Sequence, residues 1–152
     1  MKTVLLILSS FIFLSCTHNA PQSSSVSHTE IANGILSGGG AEGISQSNRV
    51  ITNTTDWQNL MDQMNNVNNV THIFTETNID FNTYEVIAVF DEVRPNGGWT
   101  TNISGITETA TEIEVTYSFL SSSGVAPCVI TQPFHIVKIQ KSNKPVNFSL
   151  NE

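Results

Sequence analysis

Val86 to Phe90 is an unbroken apolar run inside the stretch YEVIAVFDEV. Five apolar residues in a row break both the one-sided stripe of an amphipathic helix and the alternation of a half-exposed strand. The run fits a strand covered on both faces. A fold containing it has to bring other apolar elements to each side, and the rest of the chain supplies them. In TTDWQNLMDQMNN, Trp57, Leu60, Met61 and Met64 follow the i, i+3, i+4, i+7 spacing of one helical face. Such a stripe beside strands reads as core packing. Later segments alternate with period two. WTTNISGITE puts Trp99, Thr101 and Ile103 on one face, and EIEVTYSFL does the same for Ile113, Val115, Tyr117 and Phe119. PFHIVKIQK and a short VNFSL read as further strands, as do IANGILS and RVITN before the helix. One early helix followed by antiparallel strands gives an α+β class: a helix packed on a mostly antiparallel sheet or a small β-sandwich or barrel.

Local signals place some boundaries. Thr55 followed by Gln58 forms a capping-box pattern at the helix start, and the Asn65–Asn66 pair marks its end. RPNGGW, Arg94 to Trp99, lies between two strand patterns. Asn-Gly there reads as a type I′ hairpin turn with positive φ at both central residues, Gly98 supplying a further bulge position. Pro95 cannot donate to a ladder and belongs at a strand end. Trp99, just beyond the turn, is either a lid on the core or an exposed anchor for a partner.

Residues 1–15, MKTVLLILSSFIFLS, carry one Lys and then an apolar run too short for a typical membrane span, which is the pattern of a secretory signal. The run ends at Cys16, where a bacterial lipoprotein would be cleaved and acylated. Residues 16–29 then form a lipidated Cys and a Ser-rich tether that holds His18 and His28, and a single domain occupies 30–152. With Cys16 acylated, Cys128 is the one remaining thiol, so no intrachain disulfide is expected. Four N-x-S/T sequons, at Asn53, Asn69, Asn102 and Asn147, read as by-products of an Asn- and Thr-rich composition. The 152 residues suffice for one domain that needs no metal to fold. Formal net charge is −7 with no basic stripe, so nucleic acid is not an expected partner.

Chemistry-bearing motifs are few. Gly38, Gly40 and Gly43 match G-x-G-x-x-G, but no helix pattern opens after them, and they read as a loop between the first two strands rather than a dinucleotide site. Asp91 and Glu92 are adjacent; on a strand they would face opposite ways, and a surface ion pair of either with Arg94 is worth under about 1 kcal/mol. Cys128 and His135 form the one Cys/His pair of the domain, a thiolate–imidazole couple only if they meet in space. The plainer reading is a small buried thiol and a strand histidine. No Cys or His spacing suits a metal, and no cofactor or catalytic residue is expected.

VIAVFDEVRP, the NGGW turn, TNISGI, TQPFHIVKIQK and the preceding Ile79 to Phe81 together resemble the C-terminal domain family of the PrcB protease-complex subunit. Members typically show Thr-Gly-Gly-Tyr where this chain has Asn96-Gly97-Gly98-Trp99. The resemblance covers residues 79–141 and implies a stabilising accessory lipoprotein of a surface protease complex, not itself a protease. The function expected is therefore a cell-envelope lipoprotein, anchored through Cys16 and facing the periplasm, that binds another envelope protein, a protease among the candidates. Arg94, Pro95, Asn96, Gly97, Gly98 and Trp99 are the expected contact residues. The alternatives are an inhibitor-like module presenting its Gly-rich loops, a ligand-binding lipoprotein, or an enzyme using Cys128 and His135.

Overall fold

A computed structural model describes residues 23–151, so the signal segment and Cys16 lie outside the described residues. Eight strands and one α-helix follow in order: β1 (Ser24–Ser25), β2 (His28–Leu36), β3 (Ser47–Ile51), α1 (Thr54–Met64), a 3₁₀ turn (Val70–Ile73), β4 (Tyr84–Phe90), β5 (Trp99–Glu108), β6 (Ile113–Ser121), β7 (Gln132–Gln140) and β8 (Val146–Leu150). They make two four-stranded sheets, β2-β7-β4-β3 and β1-β5-β6-β8. The class is α+β, mostly antiparallel, and neither sheet closes on itself.

The apolar run of β4 explains the layering. Val86, Ala88 and Phe90 point to one side, where Phe134 and Ile136 of β7 join Trp57, Leu60, Met61 and Met64 of α1. Ile87 and Val89 point to the other, where Val137 and Ile139 meet Ile103, Ile106, Ile113 and Val115 of the second sheet. The first sheet is thus the middle layer, with the helix on one face and the second sheet on the other. Trp57 fixes the helix: its ring is 1% exposed, stacks on Phe74 at 5.8 Å, and its indole N–H donates to the Thr77 carbonyl at 2.8 Å.

Four expectations need correction. Part of the tether belongs to the fold: Ser24–Ser25 pairs with Glu108 and Thr107, and His28 already lies in β2. Those residues offer no apolar pattern because the main chain makes the pairing. The helix cap is Asn53 rather than Thr55; Asn53 Oδ1 accepts from the Asp56 amide at 2.9 Å, two residues upstream of the expected box. RPNGGW is not a hairpin. It carries the chain from β4 in one sheet to β5 in the other. Among the described residues only glycines have positive φ, and in this stretch only Gly98 does, at 84°, so a type I′ turn at Asn96-Gly97 is excluded. Finally, β8 pairs parallel with β6, because the intervening β7 runs through the other sheet and reverses direction there.

Candidate functional site

Both connections that leave one sheet for the other next to Trp99, residues 91–98 and 122–131, emerge at the same end of the molecule and bond to each other. Arg94 and Thr131 form a two-way main-chain bridge, with N···O distances of 2.7 and 3.1 Å. The Gly97 amide donates to the Pro127 carbonyl at 2.9 Å, the Ser122 amide to the Gly98 carbonyl at 2.7 Å, and the Thr131 hydroxyl to the Asn96 carbonyl at 3.1 Å. The glycine loop between β2 and β3 joins them. The Gln132 side chain, 1% exposed, donates to the carbonyls of Ile44 at 2.9 Å and Asp91 at 2.8 Å, tying the two loops to the start of β7. Within the glycine loop, the Gly38 amide donates to buried Glu42 at 2.7 Å.

Arg94 is the bracket of this end. Its guanidinium takes Asp91 in a bidentate pair, Nε to Oδ2 at 2.7 Å and Nη2 to Oδ1 at 2.8 Å, and Glu92 through Nη1 at 2.6 Å. It also lies over the Trp99 ring at 3.9 Å. The indole N–H of Trp99 donates to Asn96 Oδ1 at 3.0 Å. Asp91 is fully buried, so this is no solvated surface pair. Hydrogen bonding to Asp91 leads the effects that push the Arg94 guanidinium above its ordinary value, and burial works against it. The expectation that Asp91 and Glu92 face opposite ways also gives way: both lie past the end of β4, and both reach Arg94.

The six expected contact residues are therefore together but differ in availability. Arg94, Asn96 and Gly97 are engaged internally, Gly97 beneath Pro127 and Val129; Trp99 is half-buried; Pro95 and Gly98 are exposed. Exposed apolar side chains gather on and beside the neighbouring connection and were not singled out by spacing. Val125 is fully exposed, Leu120 and Ile130 are about half exposed, and Val129 and Val93 are nearly as open. The signal for them is GVAPCVI, an apolar stretch that Gly and Pro keep from forming a strand.

The Cys128–His135 couple does not form. Cys128 is exposed on this connection, contrary to the expected buried thiol, and His135 points between the sheets from β7. There its Nδ1 accepts the Ile103 amide at 2.9 Å, and its Nε2 lies 3.1 Å from Glu30 Oε2, which fixes the neutral ring with the proton on Nε2. Among the described residues no three His, Cys, Asp or Glu side chains are grouped to hold a metal ion, and no helix is long and apolar enough to cross a membrane. Compared with protein-family models, curated proteins and solved structures, the chain matches none.

Proposed function

We propose that this protein is a non-catalytic binding module of the bacterial cell envelope. In this reading it is lipid-anchored at Cys16 and holds another envelope protein through the three-loop end. One observation carries the reading: apolar side chains from Leu120 to Ile130 stand in solvent on a base that Arg94, Asp91 and Gln132 hold rigidly. Exposed apolar groups gathered on a firm scaffold are a contact surface rather than a stray feature. An accessory subunit of a protease complex is the partner relationship to which the PrcB-like stretches point, though no family model supports it. The inhibitor alternative is less favoured, because an inhibitor presents its loop to a cleft, whereas Gly97 is covered by Pro127 and Val129. Photocrosslinking in intact cells tests the proposal. A photoreactive side chain at position 125 should capture one defined protein that the same group at position 114, exposed on β6, does not. Equal capture from both positions would refute it.

A further inference from the structure

The two sheets end in four edge strands, β1, β2, β3 and β8, and their edges differ in what covers them. The outer edge of β2 is covered by Thr75, whose amide bonds the Ile31 carbonyl and whose hydroxyl bonds the Glu30 carbonyl, each at 2.9 Å. Along β5, the Asn33 side chain meets the Thr101 carbonyl, His135 meets the Ile103 amide, and the Val26 amide meets the Ile106 carbonyl. β1 is only two residues long. β3 and β8, by contrast, are each bonded along one side only, to β4 and β6, and among the described residues neither main chain has another partner. An open edge of this kind is a template for another strand.

β3 is also flanked by a groove. The space between it and α1 is about 360 Å³, with Arg49 and Ile51 on one wall and Asp56, Asn59, Leu60 and Gln63 on the other; the Asp56 carboxylate accepts from the Asn53 side chain at 2.7 Å. That falls within the roughly 300–1,000 Å³ usual for binding clefts. Register places Arg49 opposite Ala88, on the helix-facing side of the sheet. Its Nε donates to Ser47 Oγ at 3.2 Å, and its guanidinium sits over the Phe90 ring at 5.3 Å, so the group is held in place. Neither terminal nitrogen has a hydrogen-bond partner among the described residues, and no carboxylate there lies within 4.0 Å. A half-buried guanidinium with four unspent N–H donors is set up for a carboxylate from outside.

We propose that this groove takes an extended acidic segment of another protein, which adds a strand to the open edge of β3 and sets an Asp or Glu side chain on Arg49. Arg49 is the middle residue of the five in β3, so the carboxylate that reaches it is a side chain within the added strand. A chain end there would leave half the edge unpaired. The residues two before and two after the acidic one would point to the same side, one beside Ile51 and Leu60, where an apolar residue is expected, and the other beside Ser47. Main-chain bonds would supply affinity, and the Arg49 pair would supply selectivity. The proposal does not depend on the reading of the three-loop end.

The test uses the full-length protein and two blocked peptides, acetyl-Thr-Val-Thr-Glu-Thr-Val-Thr-amide and its Gln counterpart. Fluorescence anisotropy should show the Glu peptide binding about tenfold or more tighter, the scale of a charge-assisted pair. Amides of Ser47–Ile51 should gain hydrogen-exchange protection. Arg49→Gln should remove the preference, and Arg49→Lys should keep part of it. If Arg49→Gln fails to fold, the comparison of the two peptides on the native protein still decides. Equal binding of both peptides, no binding of the Glu peptide, or protection confined to β8 or the three-loop end would overturn the proposal. So would an Arg49→Gln protein that self-associates while the native protein binds neither peptide, because Arg49 would then be guarding the edge against strands.

Discussion

At the scale of single residues, the turn before Trp99 shows how the same letters serve a different geometry. Asn-Gly suggests strain at position 97, yet the left-handed residue is Gly98, with φ at 84° and a would-be Cβ only 2.5 Å from Ser122 Oγ. Gly98→Ala should therefore cost about 1–3 kcal/mol. Gly97→Ala should cost less than about 1 kcal/mol, since its new methyl meets the exposed Val129 at 3.3 Å and that side chain can move. Urea unfolding of the two variants checks the order, and the reverse order would return the turn to its type I′ reading. Arg94 carries a larger effect. Arg94→Ala leaves the buried Asp91 carboxylate without its partner and should cost about 3 kcal/mol or more. Adding Asp91→Asn should recover part of that loss. A cost under about 1 kcal/mol would mean that the pair behaves as an ordinary surface bridge. The sequence does show Asp91, Glu92 and Arg94 as neighbours. It does not show burial, which depends on a connection three dozen residues later folding over them.

At the scale of elements, the side-chain pattern reveals what burial dictates and misses what the main chain does alone. Val86–Phe90 and the Trp57–Met64 stripe are legible because each is set by the layers that cover it. β1 is not, because two serines pair through backbone only. Nor is the parallel placement of β8, which follows from β7 crossing to the other sheet. A turn joining a hairpin and a turn joining two sheets share the same Asn, Gly and Pro, so RPNGGW could not be told apart from a hairpin by composition. The β5 edge offers a prediction at this scale. Burial holds the His135 imidazole below its ordinary value; the Glu30 carboxylate opposes this, and the His28 imidazole adds to it. The neutral ring is the form that accepts the Ile103 amide. Between the lowered folded value and about 6.5, the unfolded chain binds the proton and the folded chain does not. The contribution of His135 to stability is thus full above about pH 6.5 and is lost progressively as pH falls below it, by at most about 1.4 kcal/mol per pH unit. His135→Gln, which keeps an acceptor, should flatten this part of the curve. Identical pH profiles for the two proteins would contradict the assignment.

At the scale of the whole molecule, the proposed attachment and recognition regions lie at opposite ends of β5. β1 pairs at the Glu108 end, and the three loops gather at the Trp99 end. Ten residues at about 3.3 Å put these ends roughly 30 Å apart. Residues 17–23 remain between the expected lipidated Cys16 and β1, and they span about 25 Å at most. In this account the loop end faces away from the attachment point, toward a partner rather than toward the anchoring bilayer. Mass spectrometry of the membrane fraction should find an acylated Cys16 and no peptide from residues 1–15. A free amino terminus elsewhere would contradict the anchor. Whether the loop end is the contact face is decided by the affinity of the crosslinked partner for the native protein and for a Val125→Asp, Ile130→Asp variant. Both side chains are exposed, so the variant should melt at the native temperature. Binding should weaken by about 30-fold or more, the hot-spot scale of about 2 kcal/mol. Unchanged affinity in a folded variant would contradict it.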